Sequence, residues 1–310
     1  MQEDLLKRAN EHAWHGTPLD AIPLYDEYLR QDSLCAEAYA FRGFAYRRLG
    51  NIEQCLRDCA MAIQIDPTYA MAHVIRGSTY RQTGDLIRAL QDYTQAIEIN
   101  SSYAAAYANR GLTHEELGNY KQAVSDYSHA IFLNPEYAAA YNNRGLLYSQ
   151  MGNNLDSIQD YTKAIELDPN DASAFYNRGL AHSTLGQHLQ AINDYNKALL
   201  LEPDNPDIYV NRGASYDATG DSQRAIDDYS KAIRISPDSS TAHYNRGMSY
   251  SELGNYHQAV CEFDAAITLD PSDADSYEAR ADTYIAAGDI FRADQDYAEA
   301  ERLRRANLPN

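Results

Sequence analysis

The stretch AAAYNNRGLLYSQMGNNLDSIQDYTKAIELDP, residues 138–169, decides the fold, because the chain around it repeats this pattern every 34 residues. Its eighth residue, Gly145, has counterparts at Gly43, Gly77, Gly111, Gly179, Gly213 and Gly247. Its fifteenth, Gly152, has counterparts at Gly16, Gly50, Gly84, Gly118, Gly186, Gly220, Gly254 and Gly288. These two phases hold all 16 glycines of the 310-residue chain. A period of 20–50 residues marks stacked units, each contacting only its neighbours.

Units of 34 residues fill 2–35, 36–69, 70–103, 104–137, 138–171, 172–205, 206–239, 240–273 and 274–307 without insertion or deletion. Positions four, eight and eleven of a unit lie on one stripe of a helix with 3.6 residues per turn, and so do positions twenty, twenty-four and twenty-seven. The fourth and twenty-fourth are usually aromatic (Tyr141, Phe175; Tyr161, Tyr195), and the twentieth and twenty-seventh are usually alanine (Ala191, Ala198). Glycine at the fifteenth position ends a first helix where a positive φ is needed. Proline at the thirty-second (Pro67, Pro135, Pro169, Pro203, Pro237, Pro271) closes a second. Glycine at the eighth position weakens a helix interior, so its regular use predicts an aromatic ring or a backbone packed directly over it.

This pattern resembles the tetratricopeptide repeat family over essentially the whole chain. The resemblance implies an all-α fold: a right-handed α-solenoid, or TPR superhelix, of about nine helix-turn-helix units with a concave groove. Residues 1–310 are expected to form a single solenoid domain. Unit 2–35 is degenerate and carries the only tryptophan, Trp14; unit 274–307 has Ala281 where glycine is usual. Both read as caps over the end faces.

The formal net charge is −19, divided as −4 over residues 1–103 and −15 over 104–310. A nucleic-acid partner is not expected, because phosphate binding needs a basic footprint. No apolar run reaches membrane length, so no membrane partner is expected, and the location is expected to be cytoplasmic. Cys55 and Cys59 occupy core positions of their unit and read as small buried hydrophobes. His12, His114 and His182 at the eleventh position, and His73 and His243 at the fourth, read as aromatic substitutes in the core. No catalytic, phosphate-loop or metal-ligand motif is present, so an enzyme, a cofactor and a metal are not expected.

The sixth position is asparagine in five consecutive units: Asn109, Asn143, Asn177, Asn211 and Asn245. Asparagine is a poor residue for a helix interior, so propensity does not explain the series. Positions two, six, nine and thirteen share a face away from the packing stripe. An amide there offers two donors and one acceptor, enough to bond both polar groups of an extended peptide backbone. The series resembles the asparagine ladder in the superhelical repeat region of O-GlcNAc transferase, which implies peptide-backbone binding by these five residues. Bonding to a neighbouring unit, which would stiffen the solenoid, accounts for the same pattern.

Arg47, Arg48 and Arg81 lie on the groove side of the early units, and Tyr176 and Tyr244 stand beside the ladder. Asp207, Asp217, Glu252, Asp275 and Asp282 follow in the later units, so the groove is predicted to run from basic to acidic. The clamp for C-terminal carboxylates found in chaperone-binding members of the family is not matched, because no second position is basic. Arginine recurs at the seventh position in eight units, and an acid recurs at the twenty-third in the same eight. The matched recurrence predicts a structural ladder of ion pairs, within or between units.

The expected function is a non-catalytic protein-interaction scaffold. Its expected partner is an extended peptide segment of another protein, held in the groove. The alternative is a structural role with self-association into a homo-oligomer through terminal repeats, for which Trp14 is the motive.

Overall fold

The computed structural model describes residues 2–306, with the backbone alone at Gln2. Eighteen α-helices and no strand occur among the described residues. The first nine are α1 (Gln2–Trp14), α2 (Pro18–Gln31), α3 (Ala36–Arg48), α4 (Ile52–Ile65), α5 (Ala70–Gln82), α6 (Leu86–Ile99), α7 (Ala104–Glu116), α8 (Tyr120–Leu133) and α9 (Ala138–Gln150). The rest are α10 (Asn154–Leu167), α11 (Ala172–Thr184), α12 (His188–Leu201), α13 (Pro206–Ala218), α14 (Ser222–Ile235), α15 (Ser240–Glu252), α16 (Tyr256–Leu269), α17 (Ala274–Ala287) and α18 (Ile290–Ala306). The 34-residue period of the sequence thus appears as an α-solenoid of helical hairpins. The helices group into two compact bodies, one ending at Leu147 and the other beginning at Tyr148.

Local chemistry explains both turns of the repeat. At the end of a first helix, Gly186 takes φ of +73°, a conformation that side chains resist, and the same holds at seven further fifteenth positions. Gly16 departs from the expectation. It is absent from the positive-φ set, and its N–H bonds the His12 carbonyl at 3.2 Å. At the end of a second helix, Asp66 accepts from the backbone N–H of Thr68 at 2.9 Å across Pro67. Asn100, Asn134, Asp168 and Asp270 repeat this Asx turn.

The close approach expected at the eighth position is present. A Cβ on Gly179 would stand 2.6 Å from the Tyr195 ring, and one on Gly213 2.7 Å from the Tyr229 ring. Tyr195, Ala191 and Ala198 are wholly buried, so ring and alanines form the seam of the hairpin. In the second unit Cys59 replaces the aromatic and Cys55 the alanine; both are buried free thiols, as the sequence predicts. Trp14 is 47% exposed. Its ring packs 4.7 Å from Phe44 and 5.9 Å from Phe41, centroid to centroid.

Candidate functional site

In the first body, α1, α3, α5 and α7 approach one another in succession; in the second, α11, α13, α15 and α17 do the same. Successive second helices make no comparable approach among the described residues. Each body therefore has an inner face made of first helices, and the recurrent polar residues divide between that face and the seam behind it.

The arginines belong to the seam. Arg178 donates to Asp194 through Nε at 2.9 Å and Nη2 at 2.7 Å, and through Nη1 to Thr162 of the preceding unit at 3.1 Å. Its guanidinium also lies 5.8 Å from the Phe175 ring centre. Arg42, Arg110, Arg212 and Arg280 repeat the fork onto Asp58, Asp126, Asp228 and Asp296. They also repeat the backward bond, onto Asp26, Thr94, Asn196 and Asp264. The ladder is thus intra-unit and inter-unit at once. Its third member, a polar residue at the twenty-fifth position, is periodic in the sequence but was not among the expected participants. Arg76 lacks the backward bond because Ala60 stands there.

His73 and His243 replace the fourth-position ring and turn toward the acid instead, at 3.4 Å from Asp92 and 2.7 Å from Glu262. The extra partner changes the balance. Burial raises the Asp92 carboxyl, but the bonds from Arg76 and His73 outweigh it and hold the group below its ordinary pKa. At Asp58, burial wins over Arg42, Asp26 adds a like charge, and the pKa is raised.

The twenty-fourth-position tyrosines reach through the seam to the inner face. Tyr127 donates to Glu115 at 3.0 Å, Tyr229 to Asp217 at 2.9 Å, and Tyr93 to Ser78 at 3.0 Å. Tyr195 has Leu180 and Ser183 at the corresponding positions, and its buried hydroxyl bonds nothing. Tyr195→Phe is therefore expected to leave thermal stability unchanged or raise it by up to about 1 kcal/mol. Tyr229→Phe should lower it, because half-buried Asp217 loses a donor. Melting curves of the two variants side by side check this, and a clear loss at Tyr195 would show that the hydroxyl has a partner.

All five ladder asparagines are half-buried on first helices, Asn109 and Asn143 in the first body and Asn177, Asn211 and Asn245 in the second. Their commitments differ. Asn109 Nδ2 donates to the Ala105 carbonyl of its own helix at 2.9 Å. Asn211 Nδ2 donates to the Asp207 carbonyl at 2.9 Å and also to the Tyr176 hydroxyl, one unit back, at 3.0 Å. Asn143 lowers the pKa of the Tyr127 hydroxyl against the burial that raises it. Asn177 and Asn245 make no side-chain hydrogen bond among the described residues.

The remaining candidates are placed as follows. Arg48 donates to the Ala13 carbonyl at 2.6 Å, which ties it to the end of α1. Arg81 pairs with Glu116 at 2.6 Å. Arg47 lies over the Phe44 ring at 5.4 Å. Tyr244 lines a cleft of about 330 Å³ with Ser240, Thr241, Asp270, Asp273 and Asp275. Burial, then Asp275, Asp273, Glu278 and Asp282, raise its hydroxyl above the ordinary tyrosine pKa. Asp275 and Glu278 both hold Arg304 from α18, which is three residues longer than the other second helices.

Among the described residues, no cluster of three or more His, Cys, Asp or Glu is placed to hold a metal ion. No described helix is long and apolar enough to cross a membrane.

Family models described as tetratricopeptide repeat match residues 6–70, 138–171, 172–205, 194–227 and 240–273. A model described as TPR repeat matches 77–118, 116–152 and 216–254. No curated protein matches the chain. Among solved structures, PilF of Pseudomonas aeruginosa is similar with a TM-score of 0.60 and 21% identity, over 73% of this chain and 99% of its own. A tetratricopeptide repeat protein of Parabacteroides merdae gives 0.55 and 22%, over 80% and 98%. YrrB, described as a TPR protein with an unusual peptide-binding site, gives 0.55 and 24%, over 59% and 95%. Repeat period, hairpin geometry and family models agree: the chain belongs to the tetratricopeptide repeat family.

Proposed function

We propose that the chain is a non-catalytic scaffold that holds an extended segment of a partner protein on its inner faces. The observation that carries this reading is the pair of half-buried amides, Asn177 and Asn245, without internal partners in a body where Asn211 of the intervening unit is bonded. An uncommitted amide on a helix interior costs helix propensity, and a peptide backbone supplies the missing donor and acceptor. Tyr176 and Tyr244, at the preceding position of units 172–205 and 240–273, offer apolar area beside those amides. A peptide-binding site is described for YrrB, which has the same fold.

Each backbone bond contributes only about 0.5–1.5 kcal/mol net, so affinity should be moderate and should grow with segment length. The test is selection of binders from a random peptide library, followed by titration against Asn177→Ala/Asn245→Ala. Affinity is expected to fall roughly tenfold or more. Equal affinity for wild type and variant, with both folded, would remove the amides from the binding surface.

A further inference from the structure

Arg47 is the only half-buried arginine among the described residues that donates to no acceptor. Its Nε is sealed from solvent without a partner. The cause lies in the repeat. Units with tyrosine at the twenty-fourth position send a hydroxyl toward the inner face, but the unit of Arg47 has Cys59 there, and no phenol reaches up to it. One unit on, Arg81 repeats the defect in part. Its Nη1 holds Glu116, while its own Nε is sealed and unpartnered. The Tyr93 hydroxyl, which donates to Ser78 at 3.0 Å, is influenced by both guanidinium groups.

A half-buried cation without a counter-charge is unfavourable. The chain carries 45 acidic residues, and among the described residues none forms an ion pair with Arg47, whose Nε has no partner. A guanidinium already partly desolvated, with Arg81 at the same position of the next first helix packed against α3, is arranged for an anion supplied from outside, at little cost in reorganisation. We infer that Arg47 and Arg81, with Ser78 and Tyr93 beside them, form an anion site on the inner face of the first body that takes an acidic side chain of the bound segment. This rests on the reading of the inner faces as peptide-binding surfaces. It adds to that reading a chemical preference at one repeat. The carboxylate meets the terminal nitrogens of Arg47, and the Ser78 hydroxyl, which accepts from Tyr93, donates to it.

The test uses the full chain and three fluorescein-labelled twelve-residue peptides of the form Gly-Ser-X, where X is glutamate, glutamine or phosphoserine. Fluorescence anisotropy should show the glutamate peptide binding roughly fivefold tighter than the glutamine peptide, in spite of the acidic protein. Arg47→Gln should abolish that preference while leaving the melting temperature near that of the wild type, since no hydrogen bond is lost and only the contact with the Phe44 ring goes. Arg57→Gln, which breaks an exposed pair with Glu53, should keep the preference. Equal binding of the glutamate and glutamine peptides overturns the site. So does a preference confined to phosphoserine, a preference that survives Arg47→Gln, or no binding by any of the three.

The two readings fail separately. If Asn109→Ala/Asn143→Ala and Asn177→Ala/Asn245→Ala change no affinity while the glutamate preference persists, the amide reading falls and the anion site stands. If the amides matter and glutamate equals glutamine, the reverse holds.

Discussion

Arg178→Leu is expected to lower the stability of the solenoid by about 3–5 kcal/mol at neutral pH, the largest effect of any single substitution considered. The reason is the acid left behind. Asp194 is 2% exposed and takes two of its hydrogen bonds from this one guanidinium. Without them the carboxylate stays desolvated with only the His182 imidazole near it, at 3.9 Å, while Thr162 loses its contact with the next unit. The Asp194→Leu partner change should restore most of the loss, because an apolar pair of similar volume is often neutral relative to a buried ion pair.

The pH dependence of the ladder follows from Asp92, whose carboxyl is held below its ordinary pKa: its contribution to stability is present above the ordinary carboxylate range and is lost as pH falls through the lowered value. Arg76→Leu should cost less, because Asp92 retains His73 at 3.4 Å and Arg76 has no backward bond to lose. Urea melts followed by circular dichroism at neutral and acidic pH give these comparisons, read at the first transition because repeat arrays need not unfold in one step. An unchanged melt for Arg178→Leu, or a double variant no better than the single, would reject the ladder as a stabilising element.

Gly179→Ala is expected to cost about 1–2 kcal/mol net. The added methyl would meet three ring atoms of Tyr195, which is wholly buried, at 2.6, 2.9 and 3.1 Å. Overpacking of this kind costs about 1–3 kcal/mol, partly offset by the 0.5–1 kcal/mol or so that alanine gains over glycine inside a helix. Gly43→Ala is the internal control. Cys59 stands in place of the aromatic there, and the nearest atoms lie at 3.2–3.3 Å, within reach of a small adjustment. Its stability should stay within about 0.5 kcal/mol of the wild type. If both substitutions have the same effect, the ring over the glycine is not what selects it.

The two eighth-position glycines also show how far the sequence could be read. That something large packs over Gly179 follows from a helix-breaking residue recurring where the pattern demands helix. That the object is the Tyr195 ring is a fact of the seam. The ladder behaves alike. Arginine at the seventh position and acid at the twenty-third recur together, so their pairing was legible. The backward bond to Thr162 was not anticipated, because a polar residue that varies among Asp, Thr, Ser and Asn leaves a weaker trace than an invariant pair. Gly16 shows the opposite failure. It keeps the glycine of the pattern without the left-handed turn, which a pattern of identities does not report.

On the inner faces, the sequence named the five asparagines by phase alone, and all five do lie half-buried on first helices. It did not separate Asn211, bonded to Tyr176 and to its own helix, from Asn177 and Asn245. Nor did it separate Arg48, held by the end of α1, from its neighbour Arg47, which donates to no acceptor and lies only over the Phe44 ring. The period, the hairpin and the helix limits are written residue by residue. A positive φ, a ring-locked φ and the absence of a Cβ are each properties of one amino acid at one position, and 34-residue repetition makes them unmistakable. Which polar group is left without a partner depends on side chains from another helix arriving within about 3 Å, and only the packed tertiary structure brings those atoms together.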